Sequence, residues 1–327
     1  MPGVLRILRA GFGGTIQDGG RCGLRRYGIT PAGPMDWRAF RTANLALGNH
    51  AETAAAVEVS VGGIEIFCET TTPIGVAFCG GGFSWRRDGR EVGPAARLIL
   101  RPGEKLTARP GTGGVFGYFA VSGGFATPVE LGSRATHTRS GIGGIDGGML
   151  RDGDLLPLSV SGWPFGEARI VAPWLDPDPA PLRVVLGPQD DYFGAAALDA
   201  FFGTEFRLTA GDRMAYRLEG PEIAHAHGFN IVSDGIALGA IQIAGDRKPL
   251  ILMADHPPTG GYPKLGHVIR ADIGRLAQLR PGETCRFSRV GVDKARAVLL
   301  ACESEVAATA RHLHPMQTAP HFGGRSP

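Results

Sequence analysis

The sequence predicts a mainly β protein with a few helices, built as two related strand-rich domains. Three observations carry this. The chain has 51 glycines and 24 prolines in 327 residues, a density of turn formers that suits many short strands and not a helical bundle. Runs such as residues 56–67 (AVEVSVGGIEIF) alternate apolar and polar side chains with period two. Four features also recur in one order along the chain. A strand, glycine turn and Gln-Asp occur at 6–18 (RILRAGFGGTIQD) and again at 183–193 (RVVLGPQDDYF). A helical pattern follows each; then come VEVSVGGIEI (57–66) or AYRLEGPEI (215–223), and LRPGE at 100–104 or 279–283. The expected division is therefore a first domain over 1–170, a proline-rich linker at 171–181 (VAPWLDPDPAP), and a second domain over 182–305. Residues 306–327 lack apolar periodicity and are expected to be a disordered tail.

Residues 5–8 form a short strand that enters a glycine-rich loop, 11–23, carrying Gln17, Asp18 and Arg21. Ile16 stands where a dinucleotide fingerprint needs its third glycine, so that reading is weak. A helix comes next. Asp36 is its N-cap, Trp37, Phe40, Asn44 and Leu47 recur at helical spacing, and Gly48 ends it in the left-handed region. Asn44 on that apolar face is either a satisfied buried amide or a site residue, and Asn49 follows the helix. The alternation at 56–67 reads as a hairpin turning at Gly62-Gly63, with Glu58 and Glu65 facing water. Further strands are expected at 75–79, 96–100, 105–108 and 115–121. The glycine-laden stretch 132–153 carries Ser133, Arg134, Thr136, His137 and Arg139, which suit either an anion site or a surface loop.

After the linker, a helix is expected through Phe193, Ala197, Phe201 and Phe202 to Gly203. The densest stretch of signals is 250–283. An apolar strand from Leu250 to Met253 stops just before Asp255, and Pro257, Pro258, Gly260, Gly261 and Pro263 then shape a constrained loop. The loop carries Thr259, Tyr262 and Lys264, the last being one of only four lysines (Lys105, Lys248, Lys264, Lys294) against thirty arginines. Taken alone, such a loop is most often just a turn, with Lys264 a solvated charge.

Several functions are disfavoured. A formal net charge of +3 without a block of like charges gives no electrostatic case for nucleic acid or a membrane surface. The five cysteines are scattered without a C-x-x-C, so free thiols are expected. With no signal-peptide pattern and no long apolar run, a cytoplasmic location is expected. P-loop, G-x-S-x-G and H-E-x-x-H motifs do not occur. His225 and His227 share a strand face but lack an adjacent third ligand, and no metal is expected. No lysine has the flanking methionines of a biotin carrier, so biotin, if used, comes on a partner chain.

Six segments in order carry a resemblance: TIQDGGRCGLRRYGITPAGPMDWRAFRTANLALGN (15–49), LGSRATHTRSGIGG (131–144), LGPQDDYF (186–193), GDRMAYRLEG (211–220), GAIQI (239–243) and TGGYPKLGHVIRADIGRLAQLRPGE (259–283). They resemble the KipA-type family, also called the C subunit of 5-oxoprolinase or allophanate hydrolase subunit 2. That family is similar in turn to the C-terminal half of the urea carboxylase carboxyltransferase domain. The resemblance implies two cyclophilin-like β-barrel domains. It also implies ATP-dependent opening of the 5-oxoproline lactam to glutamate, with ATP bound here or on a partner. The implied partners are a KipI-like protein, the B subunit, and a larger protein, the A subunit. Two alternatives follow from the same family: a carboxyltransferase component that uses carboxybiotin and a urea-like acceptor, and a non-catalytic regulator of a KipI-like protein. The implied site residues are Asp18, Asp255, Tyr262 and Lys264 as catalytic groups. Gln17, Arg21, Asn44, Asn49, Arg213, Gln242, Thr259, Gly260 and Gly261 are implied to bind substrate. The sequence departs from the family pattern at Pro257 and Pro258, which replace Gln and Thr and remove two polar side chains.

Overall fold

The computed structural model describes residues 3–316 apart from 161, 162, 164 and 177. The first half supplies β1 (Val4–Ala10), β2 (Thr15–Gln17), β3 (Ala56–Val59), β4 (Ile64–Glu69), β5 (Ile74–Gly80) and β6 (Ser84–Arg87). It continues with β7 (Arg90–Gly93), β8 (Ala96–Leu100), β9 (Lys105–Arg109), β10 (Gly117–Val121), β11 (Leu155–Pro157) and β12 (Ala168–Arg169). The second half supplies β13 (Leu182–Leu186), β14 (Glu205–Gly211), β15 (Ala215–Glu219), β16 (Asp234–Gly235), β17 (Ala240–Ile243) and β18 (Pro249–Leu252). Then come β19 (Thr259–Gly260), β20 (Lys264–Val268), β21 (Thr284–Arg289) and β22 (His314–Pro315). The α-helices are α1 (Trp37–Ala46), α2 (Ala195–Gly203), α3 (Arg270–Ala277) and α4 (Val292–Arg311).

Strands of the first half form a six-stranded sheet, β11-β1-β4-β9-β6-β7, and a seven-stranded sheet, β2-β3-β10-β5-β8-β12-β22. Alternate residues of both, such as Leu5, Ile66, Leu106 and Trp85 from one and Val57, Val76, Phe78 and Phe119 from the other, share one core. The second half closes as a seven-stranded barrel, β13-β20-β17-β18-β15-β14-β21, sealed where β13 runs parallel to β21. The fold is thus mainly β, as the turn-rich alternating sequence implies.

Helix α1 lies between the two halves. Its Ala39, Phe40, Ala43 and Ala46 join Ala77, Cys79 and Tyr118 of the seven-stranded sheet and residues of the barrel in a second core. Strands β5 and β10 are accordingly buried on both faces, apart from the last residue of β5. Asp36 caps the helix by accepting from the Arg38 and Ala39 N–H groups (3.1 and 3.2 Å), and Gly48 follows at φ 71°.

The two LRPGE segments adopt the same bonding. In each, the arginine N–H donates to the glutamate carboxylate (Arg101 to Glu104, 2.7 Å; Arg280 to Glu283, 2.8 Å). The glutamate N–H returns to the arginine carbonyl at 3.0 Å in both. Gly103 and Gly282 have φ of 82° and 97°, and their N–H groups bond to Cys68 of β4 and Leu208 of β14. What precedes them differs: strand β8 in the first half, helix α3 in the second.

Three expectations need correction. Gly62-Gly63 does not close a hairpin, because β3 pairs with β2 and β10 while β4 pairs with β1 and β9. The glycines are there because other backbones pass close by. A Cβ on Gly62 would lie 2.3 Å from the Phe12 nitrogen, and one on Gly63 2.3 Å from the Ala108 carbonyl oxygen. Glu58 does not face water; it is fully buried at the seam between the halves. Finally, residues 306–311 are not disordered but complete α4, whose Cys302 and Val306 pack with Trp37 of α1. Beyond the helix His314–Pro315 pairs with β12, returning the chain to the first half; residues 317–327 lie outside the described ones. The linker carries Trp174 beneath the Arg38 guanidinium, 4.7 Å from the ring centroid. All five cysteines are free, and among the described residues no helix is long and apolar enough to cross a membrane.

Candidate functional site at the seam between the halves

The first glycine loop is tied down by its own polar residues. Gln17 is fully buried: its Nε2 donates to Thr15 Oγ1 (3.0 Å) and the Thr136 carbonyl (3.1 Å), and its Oε1 accepts from the Gly33 N–H (3.1 Å). Asp18 accepts from the N–H groups of Gly20 (2.9 Å) and Arg134 (2.6 Å) and from the Ser133 hydroxyl. Arg21 is 1% exposed; its Nε donates to the Glu130 carbonyl (3.1 Å), and among the described residues its two Nη atoms have no partner. Burial pulls the Arg21 guanidinium below its ordinary value, opposed by the charges of Asp18, Glu130 and Asp255.

Gly33 links this loop to the second half. Its N–H bonds to Gln17, and its carbonyl accepts from Arg213 Nη2 at 2.7 Å. Arg213, in the β14–β15 turn, grips Asp255 with two parallel bonds, Nε to Oδ2 (2.9 Å) and Nη2 to Oδ1 (2.8 Å). Its third nitrogen pairs with Glu58. Glu58 in turn accepts from the Tyr118 hydroxyl (2.6 Å) and the Met35 N–H (2.9 Å). Burial opposes the Arg213 charge, but Asp255 and Glu58 outweigh it and push its pKa up. Burial, followed by the charges of Glu58 and Asp36, holds the Tyr118 phenol well above its usual value. The loops bearing Asp18 and Asp255 thus meet through Gly33, with both carboxylates engaged in internal bonds.

The Thr259–Lys264 segment leads from the β16–β19 ribbon into barrel strand β20. Thr259 and Gly260 form β19, which pairs with β16 as a two-residue ribbon. Gly261 bonds through its carbonyl to the Ile231 N–H (2.8 Å), and Tyr262 is 39% exposed. Lys264 is 1% exposed, and its Nζ reaches Asp234 Oδ2, on the ribbon strand β16, at 2.9 Å. On the neighbouring strand, Gln242 pairs in register with Lys264 and is 4% exposed. A cleft of about 360 Å³ crosses the seam beside the ribbon, lined by Arg25 and Arg26 from the first half and by residues 235–237, Pro258 and Thr259.

Asn44 and Asn49 are a structural clasp. Asn44 donates to the Ala54 carbonyl (3.2 Å), and Asn49 donates to Asn44 Oδ1 (2.9 Å) and the Val121 carbonyl (2.8 Å) while accepting from the Gly123 N–H. His225 bonds to the Ile243 carbonyl at 3.0 Å. Sequence reasoning placed Glu58 on a solvent face and did not single out Asp234, Gln189, Gln278, Arg25 or Arg26. Arg25, Arg26, Gln189 and Gln278 lie inside the resembling segments, and Gln189 is the Gln of the repeated Gln-Asp; Asp234 carried no local signal.

With this geometry in view, residues 27–289 match the family model for the carboxyltransferase domain, subdomain A and B. The chain belongs to this carboxyltransferase-domain family. It is 36% identical over 293 residues to the 5-oxoprolinase C subunit of Escherichia coli (strain K12), covering 89% of this chain and 93% of that protein. It is 36% identical over 299 residues to the 5-oxoprolinase C subunit of Haemophilus influenzae, again with 89% and 93% coverage. Among solved structures, K. lactis urea amidolyase superposes with a TM-score of 0.84 at 28% identity, over 94% of this chain and 20% of that one. The carboxyltransferase-domain match begins at Tyr27, so Gln17, Asp18 and Arg21 lie before it, whereas Asp255, Lys264 and the seam arginines other than Arg25 and Arg26 lie within it.

Proposed function

We propose that this chain is the C subunit of an ATP-dependent 5-oxoprolinase, opening the 5-oxoproline lactam to glutamate together with a KipI-like partner and a larger, A-type partner. One observation carries the reading: 36% identity to the E. coli 5-oxoprolinase C subunit over 93% of that protein's length. A lactam carbonyl is a poor electrophile, and activating it generates anionic species that need cationic and N–H donors. The seam offers such donors in Arg25 and Arg26 at the cleft and in Lys264 beneath the ribbon. Arg213 and Asp255 satisfy each other, so their role is to position the loop that carries Thr259 and Tyr262.

ATP fits a partner protein better than this chain. The sequence has no phosphate-binding P-loop, and the described cleft sets two arginines against a short ribbon with no glycine-rich helix start beside it. Similarity to K. lactis urea amidolyase favours a second reading: a carboxyltransferase component acting on urea or a related amide, with biotin carried by another chain.

The deciding experiment measures ATP-dependent glutamate release from 5-oxoproline by the reconstituted complex, with each chain omitted in turn. Turnover is expected to vanish when this chain is left out. A well-folded complete complex that releases no glutamate overturns 5-oxoproline as substrate, and carboxylation of urea-like acceptors with an added biotin carboxylase is then the assay.

A further inference from the structure

Lys264 is 1% exposed, and a buried ammonium needs an anion beside it. Among the described residues, none on the barrel strands pairs with it. The anion comes from Asp234, whose side chain is 52% exposed and sits on the two-residue strand β16. The loop leading to it is open to solvent, with Val232 90% exposed. Lys264 and Gln189 define the seat of that carboxylate: Lys264 Nζ donates at 2.9 Å and Gln189 Nε2 at 3.5 Å. The Lys264 ammonium, with the Gly235 N–H behind it, holds the Asp234 carboxyl below the usual carboxylate range.

A second, independent observation points to a ligand. Gln242, in register with Lys264 across β17 and β20, is 4% exposed, and its Nε2 has no partner among the described residues. A buried amide donor left unpaired costs free energy. It faces Gly260, where a Cβ would stand 3.0 Å from the Gln242 nitrogen and 2.7 Å from Ile236 Cδ1, so a side chain there would crowd this donor.

We propose that the seat of the Asp234 carboxylate is a binding site for the carboxylate of a small-molecule substrate, with Asp234 as a built-in occupant that the ligand displaces. Moving Asp234 outward returns a half-exposed carboxylate to water, and the incoming carboxylate restores the charge that Lys264 requires. A ligand longer than an aspartate side chain also reaches the donor of Gln242, for example with a lactam carbonyl. The ligand's identity as 5-oxoproline, a lactam bearing a carboxylate, rests on the function proposed above; the seat itself does not.

The test titrates the full-length chain and Asp234→Asn with 5-oxoproline, glutarate (carboxylates without a lactam) and 2-pyrrolidinone (the lactam without a carboxylate), by calorimetry. An internal competitor lowers apparent affinity by the fraction of time it holds the seat. Asp234→Asn is therefore expected to bind 5-oxoproline and glutarate about tenfold more tightly or better, with 2-pyrrolidinone unchanged. Adding Lys264→Met is expected to abolish the gain. A gain for glutarate alone supports the seat and overturns 5-oxoproline as its ligand. No gain for either carboxylate, or an equal gain for 2-pyrrolidinone, overturns the proposal. Should Asp234→Asn fail to fold, amide chemical shifts of the unaltered chain decide. Residues 234, 235, 259 and 260 are expected to shift with glutarate and not with 2-pyrrolidinone, and an unperturbed ribbon overturns the proposal.

Discussion

Arg213, in a turn of the barrel, and Glu58, on a strand of the first half, form a buried ion pair that bridges the seam. Glu58 is fully buried and Arg213 holds Asp255 with its other nitrogens. Arg213→Met leaves two buried carboxylates without their cation. The expected loss is about 3–5 kcal/mol in urea unfolding, with part of it recovered when Glu58→Gln is added. Arg213→Lys is expected to fare little better, because a point charge cannot reproduce two parallel bonds.

Gln278 ties the halves together by a different chemistry. Its Nε2 donates to Asp36 Oδ2 (2.9 Å) and the Phe116 carbonyl (2.8 Å), and its Oε1 accepts from the Val115 and Phe116 N–H groups (2.7 and 3.0 Å). Replacement by Leu orphans all four groups. A loss of at least ~2 kcal/mol is expected by the same unfolding measurement.

Gly274 in α3 faces the Asp36 cap of α1, and a Cβ there would lie 2.5 Å from Asp36 Oδ1. Alanine normally stabilises a helix position by up to about 1 kcal/mol over glycine. At Gly274 the collision reverses the sign, whereas Gly203 of α2 has open space around its Cβ direction. Gly274→Ala is expected to lower the melting temperature, and Gly203→Ala to leave it unchanged or raise it.

Burial holds His256 below the ordinary histidine value, with Arg25 adding to the effect and the Pro257 carbonyl and Asp255 opposing it. The unfolded imidazole therefore takes up its proton near 6.5, before the folded one does. Its stabilising contribution is complete above that value and is lost as pH falls from there toward the lower folded pKa. His256→Gln is expected to lose less thermal stability than the parent between about pH 7.5 and about pH 5.5. His267, also lowered by burial and by Lys264, contributes the residual slope.

Local features were legible where the residues that define them are adjacent in sequence. Asp36 and Gly48 bracket α1 because cap geometry depends only on neighbours, and the two LRPGE turns repeat because their bonds close within five residues. Partner choice is different. Alternation at 56–67 fixes that strands form, not which strands they meet, so β3 and β4 go to separate sheets. The same limit hides Glu58, whose pattern suits a solvent face until Arg213 arrives from 155 positions away. Among the candidate site residues, Asp255 and Lys264 stand out by their unusual setting in the chain, and Gln189 by the repeated Gln-Asp, but Asp234 has no local mark; only the folded chain brings it to Lys264.

The return of α4 to the first half has a consequence for synthesis. Arg38 and Arg41 of α1 pair with Glu305 and Glu303, and Trp37 is covered by Cys302 and Val306. A chain made from its N-terminus makes these residues after the other three described α-helices. Until then that face of α1 has Ile269, Ala271 and Trp174 beside Trp37 but lacks the α4 residues, although both sheets have nearly all their strands. A ribosome stalled before residue 292 therefore holds an α1 whose Arg38 and Arg41 lack their α4 glutamates and whose Trp37 is only partly covered.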